Sequence, residues 1–216
     1  MADVFITGGT GYMGQRLVPE LSRRGHSVRA LARPGSDTNL PSGCQTVVGN
    51  ALDASSYAGQ MAGCDTFVHP VGVAHPSPAK AQEFRSIDLV AAQGALALAT
   101  QERIQHFIYV SVAQPAPMMK AYIEVRAQCE EMVRQSGMNA TILRPWYVLG
   151  PGHRWPYLLL PFYWVAEQLP MTKDGARRLG LVTVRQMMAA LLAAVEHVPQ
   201  GVRMVDVPAI RSTEAL

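Results

Sequence analysis

The stretch VFITGGTGYMGQRL, residues 4–17, constrains this chain's fold more than any other. An apolar run of β-type residues gives way to glycines. Met13, Leu17 and Leu21 then recur every four residues on one helical face, with Gly25 as the stop. Gly8, Gly11 and Gly14 are spaced G-x-x-G-x-x-G between that strand and that helix. Glycines there let the chain turn tightly and let backbone approach a pyrophosphate, whose charge sits on the helix N-terminus. The common fingerprint is G-x-G-x-x-G, so the first glycine is shifted here. Glycines also mark ordinary turns, but a strand before and a helix after favour a nucleotide cofactor.

The same alternation continues. Strand candidates are DVFIT (3–7), SVRALAR (27–33), CQTVVGN (44–50), DTFVHP (65–70), HFIYVS (106–111), NATILRP (139–145) and VRMVDV (202–207). An Ala/Leu-rich helix is expected over 80–102. Another carries Tyr122, Val125, Cys129, Met132 and Val133 on one face, and a third covers 185–197. Strands alternating with helices predict an α/β fold, a doubly wound parallel sheet of Rossmann type covered on both faces. Pro19 conflicts with the first helix and predicts a bend. Pro151, Pro156, Pro161 and Pro170 break the pattern, so 146–180 reads as an irregular substrate-lobe segment within one domain spanning 1–216.

Composition excludes several classes. Hydrophobic residues at 49% and charged residues at 16% fit a globular chain with a sizeable core. A net charge of +3, without a basic run, argues against nucleic acid. Cys44, Cys64 and Cys129 lack C-x-x-C spacing, which fits a reducing, cytoplasmic setting. The six histidines show no ligand spacing, so no metal is expected. MADVFITGG has no signal-peptide character, and WPYLLLPFYWVA (155–166) is too short to span a membrane. That apolar segment reads as core or lid, or else as an apolar pocket, a subunit contact or a membrane-surface contact.

Two side chains bear on the cofactor's adenosine half. Arg33 ends the second strand where an NAD site usually carries an acid, so it favours a 2′-phosphate and NADP, with NAD as the alternative. It could also be a solvated strand-end arginine. Asp53, after GNAL, is placed to cap the following helix, and the same position could bring Asp53 or Leu52 to the adenine.

TGGTGYMG (7–14), LAR (31–33), GNALD (49–53), YVSV (109–112), YIEVR (122–126) and LRPWYVLGPG (143–152) occur in an order that resembles the short-chain dehydrogenase/reductase superfamily. The likeness is to its extended and atypical branches, epimerase/dehydratase-like and NmrA-like. It implies that Gly8, Thr10, Gly11, Tyr12, Met13 and Gly14 meet the pyrophosphate, with Arg33 and Asp53 at the adenosine. It also implies that Pro70, Val71 and Gly72 lie beside the nicotinamide ribose, and that Pro145 and Trp146 close over the nicotinamide. Pro70 departs from the small residues usual there.

The resemblance further implies Tyr122 as acid/base and Ser111 as the group that polarises the substrate oxygen. The family's lysine, four residues after the tyrosine, is Arg126 here. Arginine keeps the charge and can hydrogen-bond a ribose, but it does not relay a proton. Residue chemistry alone leaves Tyr122 as a core aromatic, Ser111 as a turn residue and Arg126 as a partner of Glu130. His69, His75, His153 and Arg154 are further candidates for substrate contact, or solvated side chains.

Two functions follow. One is an NADP(H)-dependent oxidoreductase or epimerase-like enzyme acting on a small, apolar carbonyl or alcohol. The other is a non-catalytic NADP(H)-binding sensor with a regulatory protein partner. A homo-oligomer is compatible with both.

Overall fold

The computed structural model describes residues 1–152, 158, 160–169 and 172–213. Among them are nine strands: β1 (Asp3–Ile6), β2 (Ser27–Ala32), β3 (Gln45–Val48), β4 (Thr66–His69), β5 (His106–Val110), β6 (Asn139–Leu143), β7 (Tyr147–Leu149), β8 (Leu181–Thr183) and β9 (Val202–Val205). Seven form one sheet in the order β3-β2-β1-β4-β5-β6-β9, and every pairing in it is parallel. β7 and β8 make a separate parallel pair. The main sheet is the Rossmann-type arrangement expected from the sequence.

The helices are α1 (Gly14–Arg23), α2 (Ala81–Glu83), α3 (Val90–Gln101), α4 (Lys120–Gln135), α5 (Leu160–Gln168), α6 (Lys173–Arg178), α7 (Val184–Glu196) and α8 (Val207–Ser212). Side chains alternate across the strands and build two cores. Val4, Ile6, Val68 and Ile108 face α1, α7 and α8 through Leu17, Leu21, Leu191 and Ile210. Phe5, Phe67, Phe107 and Tyr109 face the other way, against Leu98 of α3 and Val125 and Val133 of α4. Strands buried on both faces are why the sequence shows continuous apolar runs.

Because β1 lies between β2 and β4, the chain reverses its direction of travel across the sheet after β3. A crevice opens at the carboxyl ends of β1 and β4, where open α/β sheets hold their ligands. Helix α1 runs through Pro19. The helix expected over 80–102 has a π-helical segment, Phe84–Leu89, immediately before α3. The region read as irregular holds α5 and α6. Pro161 is tolerated because it stands in the first turn of α5, where its missing N–H has no intrahelical acceptor.

A capping box starts α7. The Thr183 hydroxyl accepts from the Gln186 N–H at 3.1 Å, and the Gln186 side-chain oxygen accepts from the Thr183 N–H at 2.9 Å. Thr183→Ala should therefore lower stability by about 1 kcal/mol, read as a drop in denaturant midpoint at constant slope.

Candidate functional site

The glycine loop sits over the crevice. Gly8 adopts φ +64°, a left-handed backbone that glycine takes without strain. Gly14 opens α1 so close to the loop that a Cβ there would come within 2.3 Å of the Gly8 carbonyl oxygen. No side chain caps the N-terminus of α1, whose flanking residue is Met13. The helix N-terminus thus lies against the glycine loop without a side-chain cap, although the Gln15 and Arg16 N–H groups already donate to the Gly11 and Met13 carbonyls. Thr10, Tyr12 and Met13 are half-buried, and the Gly9 backbone is covered by Leu40 from the loop after β2. Arg16 stacks its guanidinium 3.9 Å from the Tyr12 ring centroid and donates to the Tyr12 carbonyl at 2.7 Å.

Arg33 is exposed just beyond β2, on the loop that returns over the glycines. The Asp53 carboxylate accepts from the Ser55 N–H at 3.1 Å and from its hydroxyl at 2.6 Å, so it caps the short 3-10 turn Ala54–Tyr57. These residues could hold the adenosine and pyrophosphate of a dinucleotide: a tight backbone cradle, a helix N-terminus without a side-chain cap and an exposed arginine at the rim.

The loop after β4 touches the glycine loop, since a Cβ on Gly8 would lie 3.3 Å from Val71 and 3.7 Å from Pro70. Pro70 and Val71 are half-buried and Gly72 is exposed. Beneath them lies Arg126, almost fully buried at 4% exposure. Its Nη2 makes a short ion pair with the Asp88 carboxylate and donates to the Val71 carbonyl at 3.4 Å. Nη1 donates to the Tyr109 hydroxyl at 3.0 Å and to the Val110 carbonyl at 2.9 Å. Its guanidinium carbon lies 5.6 Å from the Tyr109 ring and 5.2 Å from the Tyr122 ring.

Burial disfavours the guanidinium charge, yet Tyr109, Tyr122 and Asp88 together hold its pKa above the usual arginine value. Burial likewise pushes the Asp88 carboxyl up, opposed by Arg126 and the Val73 N–H. Arg126 therefore does not pair with Glu130, the alternative weighed from helix spacing. The apolar stripe of α4 turns Arg126 inward beside Val125 and Cys129, toward Asp88.

Tyr122 is half-buried one helical turn before Arg126, with its ring 4.8 Å from that of Phe84. Ser111 is 4% exposed, and its hydroxyl donates to Glu130 at 2.6 Å. Glu130 also accepts from Gln114 at 2.7 Å, from Arg144 Nε at 2.9 Å and from Arg134 at 2.8 Å. This fully buried carboxylate, which sequence reading took only as a helix-pair partner, ties the ends of β5 and β6 together. Pro145 is buried and accepts from the Ala113 N–H at 2.9 Å, while Trp146 is half-buried against Tyr147.

His69 is not a substrate contact in this fold. It is fully buried and shares a 2.8 Å hydrogen bond with Thr7. Its position inside β4 points it into the sheet's packed face. His75 is exposed, and His153 and Arg154 lie outside the described residues. Among the described residues no His/Cys/Asp/Glu group could hold a metal, and no helix is long and apolar enough to cross a membrane.

A family profile described as NAD(P)H-binding matches residues 8–154. A 4-hydroxy-2-methyl-3-oxo-4-farnesyl-3,4-dihydroquinoline-1-oxide ketoreductase of Stigmatella aurantiaca is 29% identical over 168 residues, covering 68% of this chain and 50% of that protein. A ceramide reductase of Caulobacter vibrioides is 28% identical over 195 residues, covering 88% of this chain and 60% of that protein. The chain thus spans 50% and 60% of the lengths of these relatives. The Bordetella bronchiseptica enzyme WbmH, solved in complex with NAD+, shares the fold at TM-score 0.71 and 19% identity, over 95% of this chain and 75% of that one.

Burial lowers the pKa of His69 to about 3, helped by the Arg126 charge, and lowers that of His106 to about 4, helped by Arg203. Both folded values lie below an unfolded value near 6.5. Their stabilising contribution is therefore complete above pH 6.5 and is lost as pH falls toward 4 and 3. Urea midpoints should drop between pH 6.5 and 5, each histidine adding about 1.4 kcal/mol per pH unit. His69→Asn should remove roughly half of that slope.

Proposed function

Because the chain belongs to the NAD(P)H-binding family within the short-chain dehydrogenase/reductase superfamily, we propose that it is an NADP(H)-dependent oxidoreductase acting on an apolar carbonyl or alcohol. The observation that carries this reading is the meeting of three segments at one sheet edge. The glycine loop lies against Pro70 and Val71, and the Val71 carbonyl bonds Arg126, one turn beyond Tyr122.

In this reading the bound cofactor supplies the hydride, and the chain supplies position and protons. The N-terminus of α1 and the loop Gly8–Gly14 hold the pyrophosphate, with Thr10, Gly11, Tyr12 and Met13 lining it. Arg33 pairs with the 2′-phosphate, and Asp53 borders the adenine while it caps its turn. Pro70, Val71 and Gly72 support the nicotinamide ribose, and Pro145 with Trp146 closes that end. The Tyr122 hydroxyl gives its proton to the oxygen of the reduced substrate.

Arg126 contributes charge beneath the Tyr122 ring rather than a proton relay, because a guanidinium does not deprotonate at working pH. Ser111 helps indirectly, by shaping the end of β5. The farnesylated and ceramide substrates in the relatives' names support an apolar substrate here as well.

One observation favours a second reading, a non-catalytic NADP(H)-binding sensor. The Ser111 hydroxyl is buried on Glu130, and residues 112–121 contain no other serine or threonine to polarise a substrate carbonyl.

A screen of apolar ketones with NADPH separates the two readings. Turnover that falls by about a hundredfold or more in Tyr122→Phe supports the enzyme. Cofactor binding without turnover on any ketone supports the sensor, and turnover equal in wild type and mutant removes Tyr122 from the chemistry.

Calorimetry tests the cofactor preference. Arg33→Ala should weaken NADP binding about tenfold or more while leaving NAD unchanged, as expected for loss of a charge-assisted phosphate contact. Equal affinities of the wild type for NADP and NAD would overturn the 2′-phosphate assignment.

A further inference from the structure

The basic residue at the catalytic-helix position is held from within the protein through both terminal nitrogens, while its buried Nε has no partner among the described residues. Nη1 and Nη2 of Arg126 bond Asp88, Tyr109 and two backbone carbonyls, so these donors are engaged by protein groups. Asp88 is fully buried, and the Val73 N–H lies 3.3 Å from each of its carboxylate oxygens. The pair therefore holds both sides of Gly72, through the Val71 carbonyl on one side and the Val73 N–H on the other.

Gly72 itself rests directly on the pair. A Cβ there would fall 2.0 Å from Arg126 Nη2 and 2.7 Å from Asp88 Oδ1. Asp88 comes to this place from the π-helical segment Phe84–Leu89, whose extra residue per turn resets which side chains face the sheet.

We propose that Asp88 is a positioning residue for the cofactor. With Arg126 it forms a buried staple that sets the height of the loop Pro70–Gly72, and Arg126 acts on the cofactor through that loop rather than by a direct bond. The inference rests on the cofactor site proposed above. It goes beyond that site in assigning a role to a residue 38 positions before Arg126, and to a pair rather than to one cation.

The staple makes Asp88 and Arg126 a single unit, which a double-mutant cycle detects. Calorimetry with NADPH is run well below the melting transition of each variant, on wild type, Asp88→Asn, Arg126→Met and the double variant. The staple predicts that each single substitution weakens NADPH at least tenfold, and that the double variant is no weaker than the worse single one. Lower thermal stability with unchanged affinity would mean that Asp88 is merely structural, and would overturn the proposal. Multiplying losses would mean that Arg126 reaches the cofactor independently, and would overturn it too.

If Asp88→Asn does not fold, the double variant, which buries no charge, is read alone with hydrogen exchange at the Val73 amide. Weaker NADPH with a deprotected amide supports the staple, and wild-type affinity or protection overturns it. Failure of the wild type itself to bind NADPH or NADH would instead sink the cofactor reading.

Discussion

A buried charge requires a partner, and much of this site follows from how one such charge is satisfied. Arg126 enters the space between α4 and the sheet, and Asp88 meets it there. Removing one member of a buried ion pair typically costs about 3–5 kcal/mol, because the other is left unpaired in a low-dielectric interior. That cost binds four pieces of chain to one geometry: the end of β5 through Val110, the π-helical segment through Asp88, the loop after β4 through Val71 and Val73, and α4 itself. The crevice is correspondingly asymmetric. The side proposed for the adenosine is formed by backbone and an exposed arginine, while the side proposed for the nicotinamide rests on interlocked side chains.

A second buried carboxylate does parallel work one turn further along α4. Glu130 gathers Ser111, Gln114, Arg134 and Arg144, and so fixes the ends of β5 and β6 relative to the helix. The two acids leave α4 with little freedom to slide. They also explain how a helix with polar residues at Arg126 and Glu130 still packs against an apolar sheet, since both Arg126 terminal nitrogens and the Glu130 carboxylate are matched by hydrogen bonds.

Most of the architecture was legible in the sequence, because it rests on local periodicity. VFIT, TFVH and HFIYV are apolar on both faces and became the central strands β1, β4 and β5. The turn at Gly8 was legible for a similar reason, since a left-handed backbone selects glycine. Pairings between distant residues were not. Nothing around Asp88 marks it as the partner of Arg126, and helix spacing pointed instead to Glu130, which turns toward Arg144. The π-helical segment has no compositional signature, so the 80–102 stretch read as ordinary helix. Proline counting missed α5, because it did not distinguish a first-turn proline from an interior one. His69 falls inside the strand expected over 65–70, but its burial and its bond to Thr7 depend on β1, a neighbour 62 residues away that the local pattern does not show.

The order of strands in the sheet also bears on how the molecule is made. β1 precedes the sheet's other strands in the chain but occupies an interior place, with Val4 beside Val28 on one side and Thr66 on the other. Its second edge stays open until β4 has been synthesised. β9, by contrast, adds Val202 beside Ala140 at the border of a sheet whose other strands are already complete. Pairings this distant in sequence close slowly and leave strand edges open to other chains in the interval. The second edge of β1 therefore waits on a strand about sixty residues later in the chain, while β9 joins a sheet whose other described strands precede it.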